Sequence, residues 1–435
     1  MDRRNEAVSD GTVARRAFLR WTAGLVGAGV LTTSGLMSRV LGEMPRSAGA
    51  DSPAPGGVPS DAPAGKSKLE LARFPEKTEL ILLTDRPPNL EMPAKYFVHD
   101  LTPNEAMFVR WHIGIIPTRV DLAEFRLKVG GHVESPLSLS VDQLKKDFEA
   151  VTVVAVNQCS GNSRSLFTPR VAGGQWGHGA VGNAKWTGVR LKDLLAKAKV
   201  KPGAVEVSFG GLDSAIIPVT AQNPGTPDYV KSLQIAKAND ADVIVAYAQN
   251  DKELPMLNGF PLRLVVPGWF ATYWVKALDE INVLDKAFEG FWMTKAYRVP
   301  KGDPKVNESP TDLAKETVPI TEMVTRSLFA FPLGGEKVPA GQAVEVNGLA
   351  WDAGKGIATV EVSADGGKTW NQAKLDPELG RFSWRRWRYP WTPAAGKHAL
   401  LCRATSAAAE TQVERQWNRS GYARNVIERV EVEAG

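Results

Sequence analysis

The sequence is poor in the residues that build most metal and nucleophilic sites. Its 435 residues include two cysteines and five histidines, and no group of His, Cys and Asp has the spacing of a zinc site. No Ser-His-Asp or paired-carboxylate arrangement, P-loop, dinucleotide fingerprint or internal repeat can be recognised. These absences give little support to zinc enzymes, serine hydrolases, glycosidases or nucleotide-binding proteins.

Outside the N-terminal segment, Lys and Arg barely outnumber Asp and Glu. The first 50 residues hold seven Lys and Arg against four Asp and Glu, and the remainder holds 46 against 44. A nearly neutral chain without a cluster of Lys and Arg among aromatic residues is not typical of nucleic-acid binding, which depends on neutralising phosphates. The length predicts two or three compact units, and 43% hydrophobic residues is ordinary for a globular protein.

The N-terminal segment has the pattern of an export signal. Arg15 and Arg16 are followed by Ala-Phe-Leu-Arg and by an uncharged stretch over residues 21–38 that contains four glycines. This pattern resembles a twin-arginine signal, and the small residues 47–50 suit cleavage near Ala50. A retained membrane anchor is the alternative, which the glycine content disfavours. We therefore predict a signal peptide over residues 1–50, a periplasmic protein without a membrane anchor after cleavage, and a flexible Pro/Gly/Ala linker over residues 51–70.

The rest of the chain divides by pattern at about residue 307. Over residues 71–307, short β-branched runs alternate with helix-like segments, with helices predicted at 141–148 and 191–198 and a strand at 122–129. Residues 308–435 carry short period-2 runs separated by turns, which predicts an all-β sandwich of immunoglobulin-like type. The predicted fold class is α+β, with a mixed α+β domain followed by this sandwich.

The two cysteines lie in different contexts. Cys402 belongs to the run 398–404, which has the pattern of a buried strand, where an inert cysteine is common. Cys159 lies in the polar loop 157–164, directly after the apolar run 151–156. A strand that ends in a polar, glycine-containing loop presents a thiol as a ligand or nucleophile. Cys159 is thus the candidate site residue, and an inactive surface-loop thiol is the alternative.

Cationic residues form a second candidate group. Arg110 and His112 are two residues apart and lie on one side of an extended segment. Arg110 and Arg164 suit a tetrahedral or pyramidal oxyanion, because guanidinium groups make paired hydrogen bonds to such oxygens. Arg263 and Lys276 flank a hydrophobic strand and suit a phosphate. Taken singly, His112 is better explained as a structural histidine, and a lone arginine as part of a surface ion pair. A buried strand with two solvated charges explains Arg263 and Lys276 equally well.

Three ordered motifs carry a resemblance to a known family. Residues 158–162 (Gln-Cys-Ser-Gly-Asn), 179–189 around Trp186, and 258–268 (Asn-Gly-Phe-Pro-Leu-Arg-Leu-Val-Val-Pro-Gly) resemble successive motifs of the sulfite oxidase family. The likeness covers about residues 75 to 432 and includes the stretch 360–370 of the β domain. The resemblance implies a sulfite-oxidase-type molybdopterin domain followed by an immunoglobulin-like dimerisation domain.

The resemblance also implies the cofactor and its binding residues. Cys159 would ligate one molybdenum per chain beside the dithiolene of a molybdopterin, and no haem is expected in this chain. The cofactor-binding residues implied by motif position are Phe108, Val109, Arg110, Trp111, His112, Cys159, Asn258, Arg263, Trp274, Val275 and Lys276. Asn258 stands where the family usually has a histidine, so its contact differs from the family pattern.

The same resemblance implies a substrate pocket of Arg110, Arg164 and Tyr297. A further arginine is expected after a Trp-Asn pair of the C-terminal domain. Here Trp417-Asn418 is followed at once by Arg419, one place earlier than in the animal enzymes, so Arg424 remains an alternative.

The function implied is oxidation of sulfite to sulfate with electrons passed to a c-type cytochrome, as in bacterial periplasmic sulfite dehydrogenases. The expected assembly is a homodimer or a heterodimer with a haem subunit. Two alternatives remain open. One is a sulfane-sulfur dehydrogenase or sulfoxide reductase subunit of the same family, because one scaffold supports several chemistries. The other is a non-catalytic periplasmic binding protein.

Overall fold

The computed structural model describes residues 70–215, 227–302 and 308–435. The predicted signal peptide (residues 1–50) and all of the predicted linker except Glu70 lie outside the described residues. The predicted domain boundary falls beside the undescribed residues 303–307 and remains a prediction.

The part of the chain before residue 303 is built from short strands in three main sheets. Its strands are β1 Leu71–Arg73, β2 Glu79–Thr84, β3 Asn89–Glu91, β4 Val109–Arg110, β5 Leu127–Gly131, β6 Leu137–Leu139, β7 Ala150–Gln158, β8 Val181–Arg190, β9 Glu206–Gly211, β10 Lys231–Gln234, β11 Ile244–Gln249, β12 Lys252–Glu253, β13 Arg263–Val265, β14 Leu278–Leu284 and β15 Arg298–Pro300. The sheet orders are β1-β2-β3-β4, β10-β9-β14-β5-β6 and β12-β11-β8-β7, with β13 also paired to β11.

Helices in the described residues are short. They are α1 Val141–Asp147, α2 Leu191–Ala198, α3 Ile235–Ala238 and α4 Phe291–Thr294, together with 3₁₀ turns at Ala94–Val98, Arg164–Leu166, Met256–Asn258 and Ala271–Tyr273. The α1 helix begins at a capping box, in which Gln143 N donates to Ser140 Oγ (3.1 Å) and Ser140 N donates to Gln143 Oε1 (2.9 Å). Leu191, Leu194, Leu195 and Ala198 form the buried face of α2, as the three-and-four spacing predicted.

The strand content exceeds the sequence prediction. The described residues are mostly β with few helices. Many of the strands have only two to four residues and are too short to show a period-2 pattern in the sequence. The predicted strand at 122–129 is wrong over its first half. Residues 122–124 form a turn, with Phe125 N and Glu124 N donating to Asp121 O, and the strand starts at Leu127.

The part of the chain after residue 308 forms a small β-ladder with β15 and then two larger sheets. Its strands are β16 Thr317–Pro319, β17 Arg326–Phe331, β18 Lys337–Val338, β19 Val344–Trp351, β20 Ile357–Ser363, β21 Asn371–Gln372, β22 Lys374–Leu375, β23 Arg385–Trp391, β24 Gly396–Ser406 and β25 Glu428–Ala434. The two sheets run β17-β19-β23-β22 and β18-β25-β24-β20-β21. Side chains of both sheets share one core that includes Val346, Val360, Trp387 and Cys402, so the predicted all-β character of this region is confirmed. Cys402 lies in β24, fully buried, as predicted.

The two sheets also pack against the strands that carry Cys159. Phe382 bridges to Ala155 of β7, and Val156 N donates to Phe382 O (2.9 Å). Trp351 Nε1 donates to Gln158 Oε1 (2.9 Å) at the very end of β7. The end of β7 is therefore fixed from both parts of the chain.

A buried ion cluster supports this contact. Arg326 of β17 is fully buried and pairs with Glu428 of β25 (2.6 Å), and its Nη2 also donates to Ser163 Oγ (3.0 Å) beside the cysteine loop. Arg424 also pairs with Glu428, and His178 Nε2 lies 3.8 Å from Glu428 Oε2. Burial opposes ionisation of Glu428, but the charges of Arg424 and Arg326 hold its pKa below the ordinary value. Burial lowers the pKa of His178 to about 4, so its ring is a neutral neighbour of this cluster at pH 7.

We expect Glu428→Ala to lower the free energy of unfolding by about 3–5 kcal/mol, because it leaves the charge of Arg326 buried and unpaired. Glu433→Ala is the matched control in the same strand. Glu433 is 56% exposed and pairs weakly with Lys337 at 3.8 Å, so its removal should cost no more than about 1 kcal/mol. Urea unfolding of both variants measures the difference, and equal effects would contradict a structural role for the cluster.

Candidate functional site

The thiol of Cys159 is presented by a rigid loop. Strands β7 and β8 pair over their whole length, from Ala150 opposite Val189 to Gln158 opposite Val181, and Cys159 follows directly. Cys159 N donates to Ala180 O (2.9 Å), and Ala180 N donates to Asn162 Oδ1 (3.1 Å), which closes the loop. Cys159 is 7% exposed, so the thiol faces the interior of a cavity and not bulk solvent. The predicted loop after a strand is therefore present.

An inner cavity beside the thiol is lined by residues from distant segments of the chain. Its lining consists of Phe108, Arg110, His112, Asn157, Cys159, Ser160, Asn258, Arg263, Ala271, Thr272, Lys276 and Tyr297. Seven of the predicted cofactor-binding residues thus lie around one space. They come from β4 and the residues beside it, the residue after β7, the turn before β13, β13 itself and the segment before β14.

The other four predicted cofactor-binding residues, Val109, Trp111, Trp274 and Val275, do not line this cavity and are buried behind it. Trp111 lies beneath the ammonium of Lys276, with 4.5 Å from Nζ to the ring centre. Trp274 packs edge-on against Trp186 at 5.5 Å between ring centres. Their side chains support residues of the lining.

The inner cavity is cationic. Arg110, Arg263 and Lys276 line it, and no carboxylate is part of its lining. Burial is the main cause that lowers the pKa of Lys276 from 10.5 to about 7 and that of Arg263 from 12.5 to about 9. Burial disfavours the charged forms of Lys276 and Arg263 when no counter-ion is bound. An anionic ligand would stabilise these charged forms, so the cavity is suited to an anion.

Several polar atoms of the lining lack hydrogen-bond partners among the described residues. They are His112 Nδ1, Asn157 Nδ2, Ser160 Oγ and Arg263 Nε. Three of the four are donors in any protonation state, and buried donors without partners are rare in folded proteins. The unpaired donors therefore point to a ligand rich in hydrogen-bond acceptors.

His112 sits in an aromatic cluster beside the thiol. Its ring stacks on Tyr229 at 3.7 Å between ring centres, and Nε2 lies 2.5 Å from Tyr297 Oη. Burial, followed by the charge of Arg110, lowers the pKa of His112 well below the ordinary value, and burial raises the pKa of Tyr297. Both groups are neutral at pH 7, so the Tyr297 phenol keeps its proton and can donate it in the hydrogen bond to His112 Nε2. Tyr297 has a positive φ of 55°, which holds its ring over the cavity at some backbone strain.

A second cavity of about 570 Å³ also borders Cys159. It is lined by Arg110, Arg164, Tyr297, Tyr422 and Trp176 as well as Cys159. The structure therefore brings together the three residues predicted for the substrate pocket. Tyr297 and Tyr422 stack with ring centres 5.5 Å apart, and Arg164 lies 4.9 Å above the Tyr422 ring.

The guanidinium of Arg164 is tightly enclosed. Its Nε donates to Ser420 O (3.2 Å) and Nη1 to Gly174 O (3.3 Å). Gly173 has a φ of 111°, and a Cβ there would lie 2.6 Å from Arg164 Nη1. A Cβ at Gly421 would lie 2.8 Å from Arg164 Cγ. The glycines leave room for one position of this guanidinium.

The structure separates the two C-terminal arginines. Arg419 lines an outer cavity of about 470 Å³ together with Arg110, Arg164 and Tyr297. Its guanidinium is already bound by Glu308, at 2.8 Å from Nε and 2.5 Å from Nη2. Arg424 pairs with Glu428 and lines none of these three cavities. Arg419 is thus the one near the pocket, with its charge largely neutralised.

Sequence reasoning missed Asn157, Thr272 and Tyr422, which line the two cavities around Cys159. It also missed Lys77, which is buried behind the inner cavity and donates from Nζ to Oδ1 of the lining residue Asn258. Asn157 directly precedes the cysteine motif, and this position could have indicated it. Tyr422 gave no signal, because its place depends on how the C-terminal sheets pack.

In the described part of the chain, no group of three or more His, Cys, Asp and Glu side chains is placed to hold a metal. None of the described helices is long and apolar enough to cross a membrane.

Comparisons with known proteins identify the family. Residues 113–292 match the family described as oxidoreductase molybdopterin binding domain, and residues 317–435 match the Mo-co oxidoreductase dimerisation domain. Sulfite oxidase of Gallus gallus is 33% identical over 384 residues, covering 83% of this chain and 80% of the relative. The chain belongs to the sulfite oxidase family.

Two further relatives place it within that family. Mitochondrial sulfite oxidase of Macaca fascicularis is 35% identical over 369 residues, which cover 80% of this chain; the match spans 65% of the relative's length. The solved structure of the sulfane dehydrogenase SoxCD from Paracoccus pantotrophus matches with a TM-score of 0.68 and 25% identity, covering 88% of this chain and 92% of that one.

The residues present fit the molybdopterin cofactor of the family. The cofactor is anionic through its phosphate and rich in hydrogen-bond acceptors, which suits the buried cations and unpaired donors of the inner cavity. Cys159 lies between the inner cavity and the second cavity, so its thiolate can ligate a metal that faces substrate. Phe108, Arg110, His112, Asn258, Arg263 and Lys276 would hold the organic part.

We expect opposite pH dependences for the cofactor-free and cofactor-bound protein. Burial lowers the pKa of Lys77 and Lys276 from 10.5 to about 7, so between these values the unfolded state binds more protons than the folded one. The stability of the cofactor-free protein should therefore rise as pH increases through this window. Binding the anionic cofactor requires these lysines to be protonated, so cofactor retention should fall over the same range.

The measurement is thermal unfolding of protein from a host unable to make the cofactor, compared with molybdenum retention after dialysis, at about pH 7.5 and about pH 9.5. Lys276→Met should reduce the pH dependence of both quantities. A stability of the cofactor-free protein that falls with rising pH would contradict the assignment of these lysines as cations whose pKa burial lowers.

Proposed function

We propose that the protein oxidises sulfite to sulfate at a molybdenum centre held by Cys159 and passes the electrons to a c-type cytochrome. The observation that carries this proposal is the placement of Arg110, Arg164 and Tyr297 around the second cavity, which Cys159 also lines. Two guanidinium groups and a phenol are suited to a small oxyanion, because they offer several directional donors and positive charge. The sulfite oxidases among the relatives support this choice.

The bound cofactor supplies the two-electron oxidation and the transfer of an oxygen atom to sulfur. The reaction balances as sulfite and water giving sulfate, two protons and two electrons, which two one-electron cytochromes accept. The residues of this chain hold and orient the anion. The enclosure of Arg164 fixes where its guanidinium can meet substrate oxygen.

Tyr297 acts as a neutral donor. Burial raises its pKa, so the phenol keeps its proton at neutral pH and donates a hydrogen bond to an oxyanion or to His112 Nε2. Because His112 is also neutral, this pair can hold a proton or a water beside the substrate without adding charge. Arg419 contributes to the mouth of the pocket, and Glu308 offsets most of its charge.

The remaining features of the proposal concern assembly and location. We propose export to the periplasm by the twin-arginine route, no haem in this chain, and pairing with a second copy or with a haem subunit. The match of residues 317–435 to a dimerisation domain supports the pairing. We also assign the sandwich of residues 317–435 to the immunoglobulin-like type, on the basis of its two packed sheets.

A second candidate is oxidation of sulfane sulfur bound to a carrier protein. The likeness to the solved sulfane dehydrogenase favours it, and so does the outer cavity, whose 470 Å³ extends the pocket past Lys295 and Arg298. A free-sulfite enzyme needs the inner arginines, whereas a carrier-bound substrate also needs this wider mouth.

The deciding experiment uses protein with its native signal from a host that makes the cofactor. Molybdenum per chain and sulfite-dependent reduction of cytochrome c are measured for wild type and Cys159→Ser. We expect about one molybdenum per chain and activity in wild type, with activity reduced to background in Cys159→Ser, because a serine hydroxyl is a poor ligand for this metal. Cys402→Ala is the matched control and should keep both, since Cys402 lies in β24, outside the cavities around Cys159. Molybdenum without sulfite activity would favour the carrier-bound candidate, and no molybdenum would overturn both.

The enclosure of Arg164 gives a separate prediction. Gly173→Ala should displace the guanidinium and reduce kcat/KM for sulfite about tenfold or more, mainly through KM, because a charge-assisted hydrogen bond to substrate is weakened. Gly302→Ala is the control. Gly302 has a similar φ of 107° but nothing within 4 Å of a built Cβ, so it shares the backbone strain without touching Arg164. Steady-state kinetics in which both variants behave alike would contradict the proposed role.

A further inference from the structure

Lys77 reaches the inner cavity's wall from a distant segment of the chain. It lies between β1 and β2, before the region that matches the molybdopterin-binding family, and is 6% exposed. Its ammonium donates to Asn104 O (2.7 Å), Met107 O (3.1 Å) and Asn258 Oδ1. All three N–H groups of the ammonium therefore donate hydrogen bonds, and one of these bonds goes to Asn258, whose side chain lines the cavity.

These contacts fix the orientation of the Asn258 amide. Its Oδ1 faces the ammonium of Lys77, which can only donate, and its Nδ2 donates to Phe108 O (3.1 Å), which can only accept. A flipped amide would place the NH2 group against the ammonium and the oxygen against a carbonyl, so one orientation is strongly preferred. The second proton of Nδ2 remains for a ligand in the cavity, which Asn258 lines.

Asn258 also joins Lys77 to Arg263. Arg263 Nη1 donates to Asn258 O (2.8 Å), and Arg263 Nε has no partner among the described residues. Lys77, Arg263 and Lys276 thus place three buried cations at one end of a cavity whose lining holds no carboxylate. This end is suited to the most negative part of the cofactor, its phosphate.

We propose that Lys77 is a positioning residue for the cofactor: it fixes Asn258 as a hydrogen-bond donor and adds positive charge at the end of the cavity that takes the phosphate. Asn258 stands where the resemblance places a histidine in the family. Lys77 and Asn258 together replace the donor that an imidazole supplies alone. The inference rests on the cofactor and not on the substrate, so failure of the sulfite assay leaves it intact.

The test uses the full chain produced in a host that makes the cofactor, and it reads cofactor content in place of activity. Molybdenum per chain is measured by elemental analysis, and molybdopterin by the fluorescence of its oxidised pterin after release, both following extended dialysis. The melting temperature of each variant is measured in parallel on protein from a host that lacks the cofactor. We expect Lys77→Met to lower retained cofactor about tenfold, because the amide loses its fixed orientation and the site loses a charge.

Two further variants separate positioning from folding. Asn258→Asp preserves the size of the side chain; it loses the hydrogen bond to Phe108 O but gains an ion pair with Lys77, which offsets that loss, so the cofactor-free protein should melt close to wild type. It presents only acceptors to the phosphate, so retained cofactor should fall at least as far as in Lys77→Met. In Lys77→Met/Asn258→His, an imidazole N–H supplies the donor without Lys77, and retained cofactor should recover at least half of the wild-type level.

Wild-type cofactor content in Lys77→Met would overturn the proposal. So would loss of cofactor in Lys77→Met that the added histidine does not restore, since the lysine would then serve only the fold. If Lys77→Met fails to fold, Asn258→Asp decides: wild-type cofactor content in that variant overturns the proposal, and loss of cofactor without loss of stability supports it.

Discussion

The structure depends on buried positive charge that no described carboxylate contacts as an ion pair, although Asp213 acts on Lys276 and Glu76 and Glu105 act on Lys77 at longer range. Arg263, Lys276 and Lys77 lie at one end of the inner cavity, and burial holds the pKa of each below its ordinary value. Elsewhere the chain compensates its buried arginines: Arg326 has Glu428, and Arg419 has Glu308. The contrast between paired and unpaired cations marks the inner cavity as the place where the counter-charge comes from a ligand.

The β-sheets of both parts of the chain contact and position one short loop, the loop that contains Cys159. The pairing of β7 with β8 sets the position of Cys159, and Trp351 and Phe382 clamp the end of β7 from the C-terminal sheets. Ala423 N donates to Ser160 O (3.1 Å), which ties the same loop to the segment that carries Tyr422. The C-terminal part therefore contributes to the site directly, beyond any role in pairing between subunits.

Much of the site was predictable because its residues lie in short, ordered motifs. Cys159, Arg110, His112 and Arg263 occupy one region of the structure, as the motifs implied. Helix α2 was predicted to the residue, because four apolar side chains at spacings of three and four require a helix. The predicted strand at 122–129 was wrong at its start, since the local turn centred on Asp121 outweighs an alternating pattern.

The rest could not be read from sequence, for reasons that are physical. Lys77 lies 181 residues from Asn258 along the chain, and Tyr422 reaches Tyr297 only through the packing of two separate sheets. The charge of Arg419 looked available in the sequence, and only the fold shows that Glu308 binds it. Pairings of this kind are long-range, and no local pattern encodes them.

The enclosure of Arg164 has a consequence for selectivity. A guanidinium surrounded by glycine backbone and an aromatic ring cannot move aside when a larger group enters, so shape adds to charge in sorting ligands. Small trigonal or tetrahedral anions fit within reach of its donors, while an anion with a bulky substituent on the reacting sulfur must point that substituent away, toward the outer mouth. The guanidinium attracts any anion, but because it cannot move, the strength of binding also depends on the size and orientation of the anion.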